Sequence, residues 1–527
     1  MTDGPALPKA YWLTALVTIL ALVPELISST AAPHIQRTVE HTLRATPQTL
    51  TWIGLVGAAS YATGCVLAAE LARRISRRPL LCTLLVVSVA AELLAAVAPN
   101  ALTFGVGRVV QGLLGGMLII VALPPLLVDF PVERIKPTVS IAVIVLFGAA
   151  SAGPLIGGYV AQFDMWRALF VAEAGMSLSG LVLAYLGVAQ RDPAGATQRV
   201  DAGALIYTVA GVCGLFFGVG QIAAGAGFGA PIVVVPLAAG LIALAVLLVT
   251  EFRAEEPLLP VKPLSTAFPL MGTITAMVSG AAYVAMLQLS STFLTIVSAL
   301  TPLQNGLAVW PNVVTTAVGG ALFVVCLNTR WAIALIVVGL GILALGAYVL
   351  QGLTVTAGFD DVALRSAIVG LGAGLTVAPG RLIASFSAKL HLVGRAIALV
   401  ELFRLSATYL GAPVALRAVG VSAARYYGTL AKVAPARATG TVQTFLQSGA
   451  APGLTPAQRA LLRQATVRAA HDAFVVLCYL LLLGMLLIAG IFMFSRARLN
   501  APDFKRYLHG DEPAFASPPV IPGARSD

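Results

Sequence analysis

Charge is what this chain most lacks. Only 10% of its 527 residues are Asp, Glu, Lys or Arg, while 58% are hydrophobic. A soluble domain carries about 25% charged residues, so the polar surface needed to cover a soluble particle of this size is missing. Cysteine is also scarce. Cys65, Cys82, Cys213, Cys326 and Cys478 all fall in apolar runs, and none has a CxxC partner. That removes any metal or redox signal and leaves small buried side chains. No Ser–His nucleophile motif and no GxxxxGK[ST] phosphate loop occurs, so neither catalysis nor ATP-driven pumping is expected. No metal or cofactor is expected either. The formal charge of +11 does not point to nucleic acid, because the basic residues are scattered between apolar runs, as in cytoplasmic loops of membrane proteins.

What the chain has in abundance is long apolar runs. Many exceed the roughly 18 residues that cross a hydrocarbon core as helix. They are apolar throughout rather than alternating, which excludes a barrel and predicts an all-α polytopic membrane protein. About fourteen spans can be read, near residues 10–32, 50–72, 79–98, 101–128, 138–162, 166–189, 202–224, 230–251, 267–297, 304–327, 331–352, 361–386, 395–418 and 472–495. Arg73, Arg74, Arg77 and Arg78 follow span 2, Arg134 and Lys136 follow span 4, and Arg496 and Arg498 follow the last span, whereas alternate turns such as Pro99-Asn100 are nearly uncharged. The basic side is expected to be cytoplasmic, with both termini there. One segment strains this rule. Residues 419–471 would lie outside, yet carry Arg425, Lys432, Arg437, Arg459, Arg463 and Arg468. Within it, Thr455-Pro456 predicts a helix start, leading towards span 14. The expected division is 1–190, a six-helix bundle; 191–262, a linker (Thr197 to Asp201 within it) and two inserted spans; 263–499, a second six-helix bundle with the loop 419–471; and 500–527, a Pro- and charge-rich tail expected to be disordered.

Span 5 contains Ser151-Ala-Gly153-Pro154-Leu-Ile-Gly157-Gly158, preceded by Gly148. Gly153 and Gly157 share a helix face, and small residues four apart allow close helix approach in lipid. Pro154 frees a carbonyl and allows a bend. This string, followed by Trp166-Arg167-x-x-Phe170, resembles the antiporter motif and next-span start of the major facilitator superfamily. Arg108-Val-Val-Gln111-Gly112 on span 4 resembles that family's RxxQG motif, and Thr51-Trp52-Ile53 opens span 2 as in its fourteen-span drug exporters. The resemblance covers nearly the whole chain. It is nearest to the EmrB/QacA-type drug:proton antiporters, and to the EmrB-like branch in the long loop before span 14. It implies two six-helix bundles plus two extra spans, with export by alternating access. The chain departs from the family in three places. Arg73 stands where the loop after span 2 often has an acid, so a gating salt bridge built on that acid cannot work in the same way. On span 1 the matching acid position is Pro24, with Glu25 beside it, and Glu173 stands where the family usually has Asn.

Ionisable residues inside a membrane are functional candidates, because desolvating a charge is costly. At about 1.5 Å per residue, Glu25 lies roughly 22 Å from the start of span 1 and Arg108 roughly 12 Å from the start of span 4, at similar depth. By the resemblance, spans 1 and 4 face a central cavity together. Burial disfavours a charged carboxylate and a neighbouring cation favours it. Glu25 is therefore expected as the proton-binding carboxylate with Arg108 as partner; a static buried pair is the competing reading. Glu92 and Glu173 are secondary candidates, otherwise pairing or snorkelling near the outer interface. Glu401 and Arg404 can pair on one helix face, as a structural pair or in a substrate cavity with Tyr283, Gln288, Trp310 and Asn312. Arg381, near the end of span 12, is expected to snorkel.

These residues suggest a proton-coupled exporter of amphipathic or aromatic compounds in a bacterial inner membrane. A non-transporting sensor or scaffold, and an uptake symporter, are the other readings. The basic residues of the C-terminal half lean slightly towards lipophilic weak acids as substrates. By resemblance, 419–471 would meet a periplasmic adaptor and an outer-membrane channel; otherwise it is a solvated loop.

Overall fold

The computed structural model describes residues 8–190, 200–448, 453–510 and 512–520. The expected linker positions 197–199 and the end of the tail from 521 lie outside these. Among the described residues, fourteen helices are long and apolar enough to cross a membrane. We number them span 1 (Ala10–Leu43), 2 (Pro47–Ala72), 3 (Arg77–Ala96), 4 (Ala101–Val128), 5 (Val132–Gln162), 6 (Trp166–Gly187), 7 (Ala202–Ala223), 8 (Pro231–Arg253), 9 (Ala267–Ile296), 10 (Pro302–Cys326), 11 (Ala332–Leu350), 12 (Phe359–Phe386), 13 (Leu390–Ala431) and 14 (Pro456–Phe494). Among the described residues the only β-type pairing outside strands is an isolated bridge, Thr266 with Pro519.

The starts of these helices follow from local chemistry. Thr46, Asn100 and Thr301 accept hydrogen bonds from backbone N–H groups of the first turn of spans 2, 4 and 10, and Pro47, Pro231 and Pro302 occupy first-turn positions where no N–H is needed. Large apolar side chains such as Leu102, Leu186, Leu364 and Phe494 stay exposed around the outside, where lipid rather than water would meet them.

Spans 1–6 pack mainly on one another, as do spans 9–14, while spans 7 and 8 pair with each other and span 7 leans on spans 2 and 13. The two bundles meet along spans 2 and 13 and along spans 5 and 10. Glycine makes the second contact possible. A Cβ on Gly158 would lie 2.5 Å from the Pro302 carbonyl and 2.9 Å from Gly306 Cα, and one on Gly320 would lie 2.7 Å from Val143 Cγ1. Spans 5 and 10 thus touch in both halves of the membrane thickness. Span 5 is also irregular, with a π-helical stretch over Ile141–Leu146 ahead of the α-helix Phe147–Gln162. Such widened turns commonly mark functional sites.

Two expectations are corrected. The tail is not structureless over the described part. Asp503 caps a short helix, Phe504–His509; Phe504 and Tyr507 pack edge-on against each other and against Phe386 at the end of span 12, and Phe515 packs edge-on against Phe504. The Phe386 carbonyl accepts from the Ala514 N–H at 3.0 Å, and the Pro518 carbonyl accepts from the Ala267 N–H at 3.0 Å. Composition over the whole tail is polar, but a few aromatic side chains suffice to anchor it. Residues 419–471 are likewise mostly helix. Span 13 continues to Ala431, a helix follows at Pro435–Ser448, and span 14 begins at the predicted Thr455 cap and runs unbroken to Phe494. All six basic residues of this segment are exposed, which removes the desolvation cost that would oppose them beside a membrane.

Candidate functional site

The centre of the first bundle holds a polar cluster built by four spans. Glu25 projects from span 1 into space left by Gly115 of span 4, where a Cβ would lie 2.5 Å from Glu25 Cγ. Arg108 of span 4 reaches it, with Nη1 3.7 Å from Glu25 Oε2. The same guanidinium donates to Ser28 Oγ and, at 2.6 Å, to Gln111 Oε1, and it lies over the Phe170 ring at 5.7 Å. Gln111 then donates from Nε2 to Glu173 Oε2 at 3.0 Å. Ser177 donates to Glu92 Oε1 at 2.9 Å. The RxxQ spacing puts Arg108 and Gln111 on one helix face, so span 4 links the carboxyl groups of spans 1 and 6.

Glu92 and Glu173 do not snorkel. They are 1% and 0% exposed, because spans 3 and 6 pack face to face and shield them from lipid. One oxygen of each of Glu25, Glu92 and Glu173 is buried without a hydrogen-bond partner among the described residues. Of the three, Glu25 pairs directly with Arg108, Glu173 is tied to it through Gln111, and Glu92 is bonded by Ser177.

The second bundle holds the reverse arrangement. Glu401, fully buried, accepts from Arg404 Nη2 at 2.6 Å and Nε at 2.9 Å, and from Arg381 Nη1 at 2.8 Å. Arg381 thus does not snorkel; the buried carboxylate of span 13 holds it inside. Sequence spacing identified the Glu401–Arg404 pair but missed Arg381, which arrives from another helix. Ser28, Gly115 and Ser177 were missed for the same reason.

Of the residues expected to line a substrate cavity, Tyr283 and Asn312 come together. Asn312 Nδ2 donates to Tyr283 Oη at 2.9 Å, and Tyr283 Oη donates to Ser151 Oγ of span 5 at 3.1 Å. This chain of bonds crosses from one bundle to the other. Gln288 is partly buried on the same span as Tyr283. Trp310 is not with them. It is 51% exposed on the outer surface, because residues two apart on a helix point to nearly opposite sides. Two surface grooves of about 400 and 580 Å³ lie on span 14 with the tail, and between spans 2 and 4; neither lies between the bundles.

The glycine string divides its work. Gly153 and Gly157 pack against span 1, with a Gly157 Cβ placed 2.8 Å from the Ala31 carbonyl, whereas Gly158 meets span 10. Gly148 has open space where a Cβ would be. The close approach of the glycine string is therefore mostly a contact inside the first bundle, and Gly158 makes the crossing to the second. In the basic loop, Arg73 and Arg74 pair with Glu70 at 3.6 and 2.6 Å, Arg77 pairs with Asp129, and Arg78 donates to the Tyr185 carbonyl and stacks on its ring at 4.9 Å. These contacts stay within the first bundle. Across the interface Arg73 faces Arg395 of span 13, close enough to repel it. Among the described residues no cluster of His, Cys, Asp and Glu is placed to hold a metal ion.

Comparison with known proteins agrees with this architecture. The chain is 26% identical over 369 residues to the multidrug resistance protein B homolog of Mycobacterium tuberculosis, covering 69% of this chain and 68% of that protein. It is 24% identical over 375 residues to the tetracenomycin C resistance and export protein of Streptomyces glaucescens, covering 70% and 69%. An uncharacterized MFS-type transporter of Bacillus subtilis is 25% identical over 297 residues, covering 53% and 56%. The chain thus spans between 56% and 69% of the lengths of these three relatives. The crystal structure of the human organic anion transporter MFSD10 is similar with a TM-score of 0.57 at 12% identity, covering 89% of this chain and 99% of that one. The proton:xylose symporter XylE is similar with a TM-score of 0.53 at 13% identity, covering 92% and 95%. These two likenesses speak to fold alone. The family described as Major Facilitator Superfamily matches residues 14–412, and with its paired six-span bundles this chain belongs to that superfamily.

Proposed function

We propose that this chain is a proton-coupled antiporter that exports amphipathic or aromatic compounds across a bacterial cytoplasmic membrane, with the basic loops and both termini inside. The observation that carries the reading is the cluster of Glu25, Glu92 and Glu173 around one guanidinium, that of Arg108. An uncompensated buried carboxylate costs several kcal/mol. One of the three is balanced by Arg108 as an anion, and the other two hold protons. Glu25, directly beside Arg108, is the group whose proton comes and goes. When its proton is present, Arg108 loses its counter-ion. That change in local charge biases the contact of span 1 with span 5 and, through Gly158, of span 5 with span 10. Such a bias is what couples protonation to which side of the membrane the cavity faces. The printed names of two relatives, one a multidrug resistance protein homolog and one a resistance and export protein, agree with export.

The test is efflux from proteoliposomes with an imposed pH gradient, using a fluorescent aromatic cation and a fluorescent aromatic acid. Wild-type efflux is expected to collapse when the gradient is dissipated. Glu25→Gln should lower gradient-driven efflux at least about tenfold, equivalent to about 1.4 kcal/mol, while substrate exchange without a gradient persists. Gradient-independent efflux at an unchanged rate would sink the proposal. Partners along 419–471 are tested separately. Deleting 435–448 should reduce pull-down of a periplasmic adaptor if that helix is the docking site; unchanged pull-down removes the idea.

A further inference from the structure

The second bundle carries a charge imbalance opposite to that of the first. Arg381 of span 12 and Arg404 of span 13 both make their ion pairs with Glu401. Two guanidinium groups against one carboxylate leave an excess positive charge in the membrane interior. The triad lies roughly 8 Å along span 12 and roughly 16 Å along span 13 from their basic-face ends. It is deeply buried: the side chains of Glu401, Arg381 and Arg404 are 0%, 9% and 12% exposed. Arg381 Nε is buried and has no hydrogen-bond partner among the described residues. A buried guanidinium with an unused donor, sharing its carboxylate with a second guanidinium, is costly to keep.

Span 2 covers the triad from the other bundle. Tyr61 and Cys65 of span 2 lie within electrostatic reach of Glu401 and Arg404, and Tyr409 of span 13 is in reach of Arg404. Leu382, Leu402 and Leu405, next to the triad in sequence, are buried as well. A charged spot of one sign beside aromatic rings suits a ligand with one anionic group and an apolar body. The planar guanidinium fork matches a carboxylate in particular.

We propose that Arg381 and Arg404, held in place by Glu401, bind the anionic group of a lipophilic aromatic acid, and that separation of spans 2 and 13 exposes this site. The role of Glu401 is then to position the two arginines rather than to meet the ligand. This inference rests on the exporter reading, and it narrows the substrate to weak acids.

The experiment is calorimetric binding to the purified full-length protein in nanodiscs. Naphthalene-2-carboxylate and biphenyl-4-carboxylate are compared with their neutral amides and with acetate. Both aryl acids are expected to bind at least roughly tenfold more tightly than their amides, and acetate, which has the charge without the apolar body, far more weakly. Arg381→Gln should erase the preference for acid over amide, and Arg381→Lys should retain part of it. Arg381→Gln leaves Glu401 paired with Arg404, so folding is expected to survive. The wild-type comparison decides the matter even if it does not. No preference for the acids, including no binding of any probe, overturns the site, and acetate binding as well as the aryl acids overturns the assignment of a lipophilic ligand. Gradient-driven efflux of an aromatic cation alone would remove this inference while leaving proton-coupled export intact.

Discussion

Glu173 and Glu401 are both fully buried glutamates in one membrane protein, yet their partners differ in kind. Glu401 accepts three N–H groups from two arginines, whereas Glu173 accepts one from a neutral amide. The same substitution separates them. With Glu173 protonated, as proposed above, Glu173→Gln replaces a neutral acid by a neutral amide and should change stability by under ~1 kcal/mol. Glu401→Gln strands two buried cations and should cost on the order of 3–5 kcal/mol. Thermal unfolding of the two purified variants in the same detergent checks this; equal losses would show that both carboxyls are ionised. Tyr283→Phe removes the hydroxyl between Ser151 and Asn312 and leaves a buried amide unsatisfied. It should cost about 1–3 kcal/mol, again read by thermal unfolding. What the sequence revealed at this scale was a pair three positions apart on one helix, Glu401 with Arg404; Glu70, the equally near partner of Arg73 and Arg74, went unread. Arg381, Ser28 and Ser177 were hidden because their partners come from other helices.

Span 5 is the element in which local pattern and tertiary role diverge most. The spacing of Gly153, Pro154, Gly157 and Gly158 announced a close helix approach, but not which neighbour meets which glycine. Span 1 meets the first and third, and span 10 meets Gly158. A cysteine pair, Gly158→Cys with Gly306→Cys in a cysteine-free background, should form a disulfide under mild oxidation, because the two backbones are in contact. Oxidation should arrest transport and reductant should restore it. Failure to cross-link in membranes at rest would mean that the spans are apart there. Gly148→Ala should be close to neutral for efflux, since nothing stands where its Cβ would go. A clear loss at Gly148 would reveal a contact made only in another conformation.

At the scale of the molecule, the basic face is closed by unlike means on its two sides. Where Arg73 faces Arg395 across the interface, like charges repel. The tail supplies a separate brace. Phe504 and Tyr507 pack on Phe386, Phe515 packs on Phe504, and residues 517–520 bond to the start of span 9. Phe504→Ala should destabilise the protein by roughly 3 kcal/mol, the usual scale for emptying a buried aromatic position. Thermal unfolding of full-length protein and of a chain ending at residue 499 measures it, and an unchanged midpoint in both would show the tail to be unattached.

The sequence by itself determined the class and the count of spans, because a run of apolar residues long enough to cross a bilayer has no alternative but helix. It also determined the cap at Thr455 and the pairing of Glu401 with Arg404, since those depend on spacing along one helix. Only the tertiary structure decided the charge balance of each bundle. Three carboxyls met one arginine in the first, and two arginines met one carboxylate in the second, because six separate helices carry these groups and only their packing brings the groups within reach. The tail's attachment was decided in the same way, by the one aromatic ring at the end of span 12 that its side chains could cover.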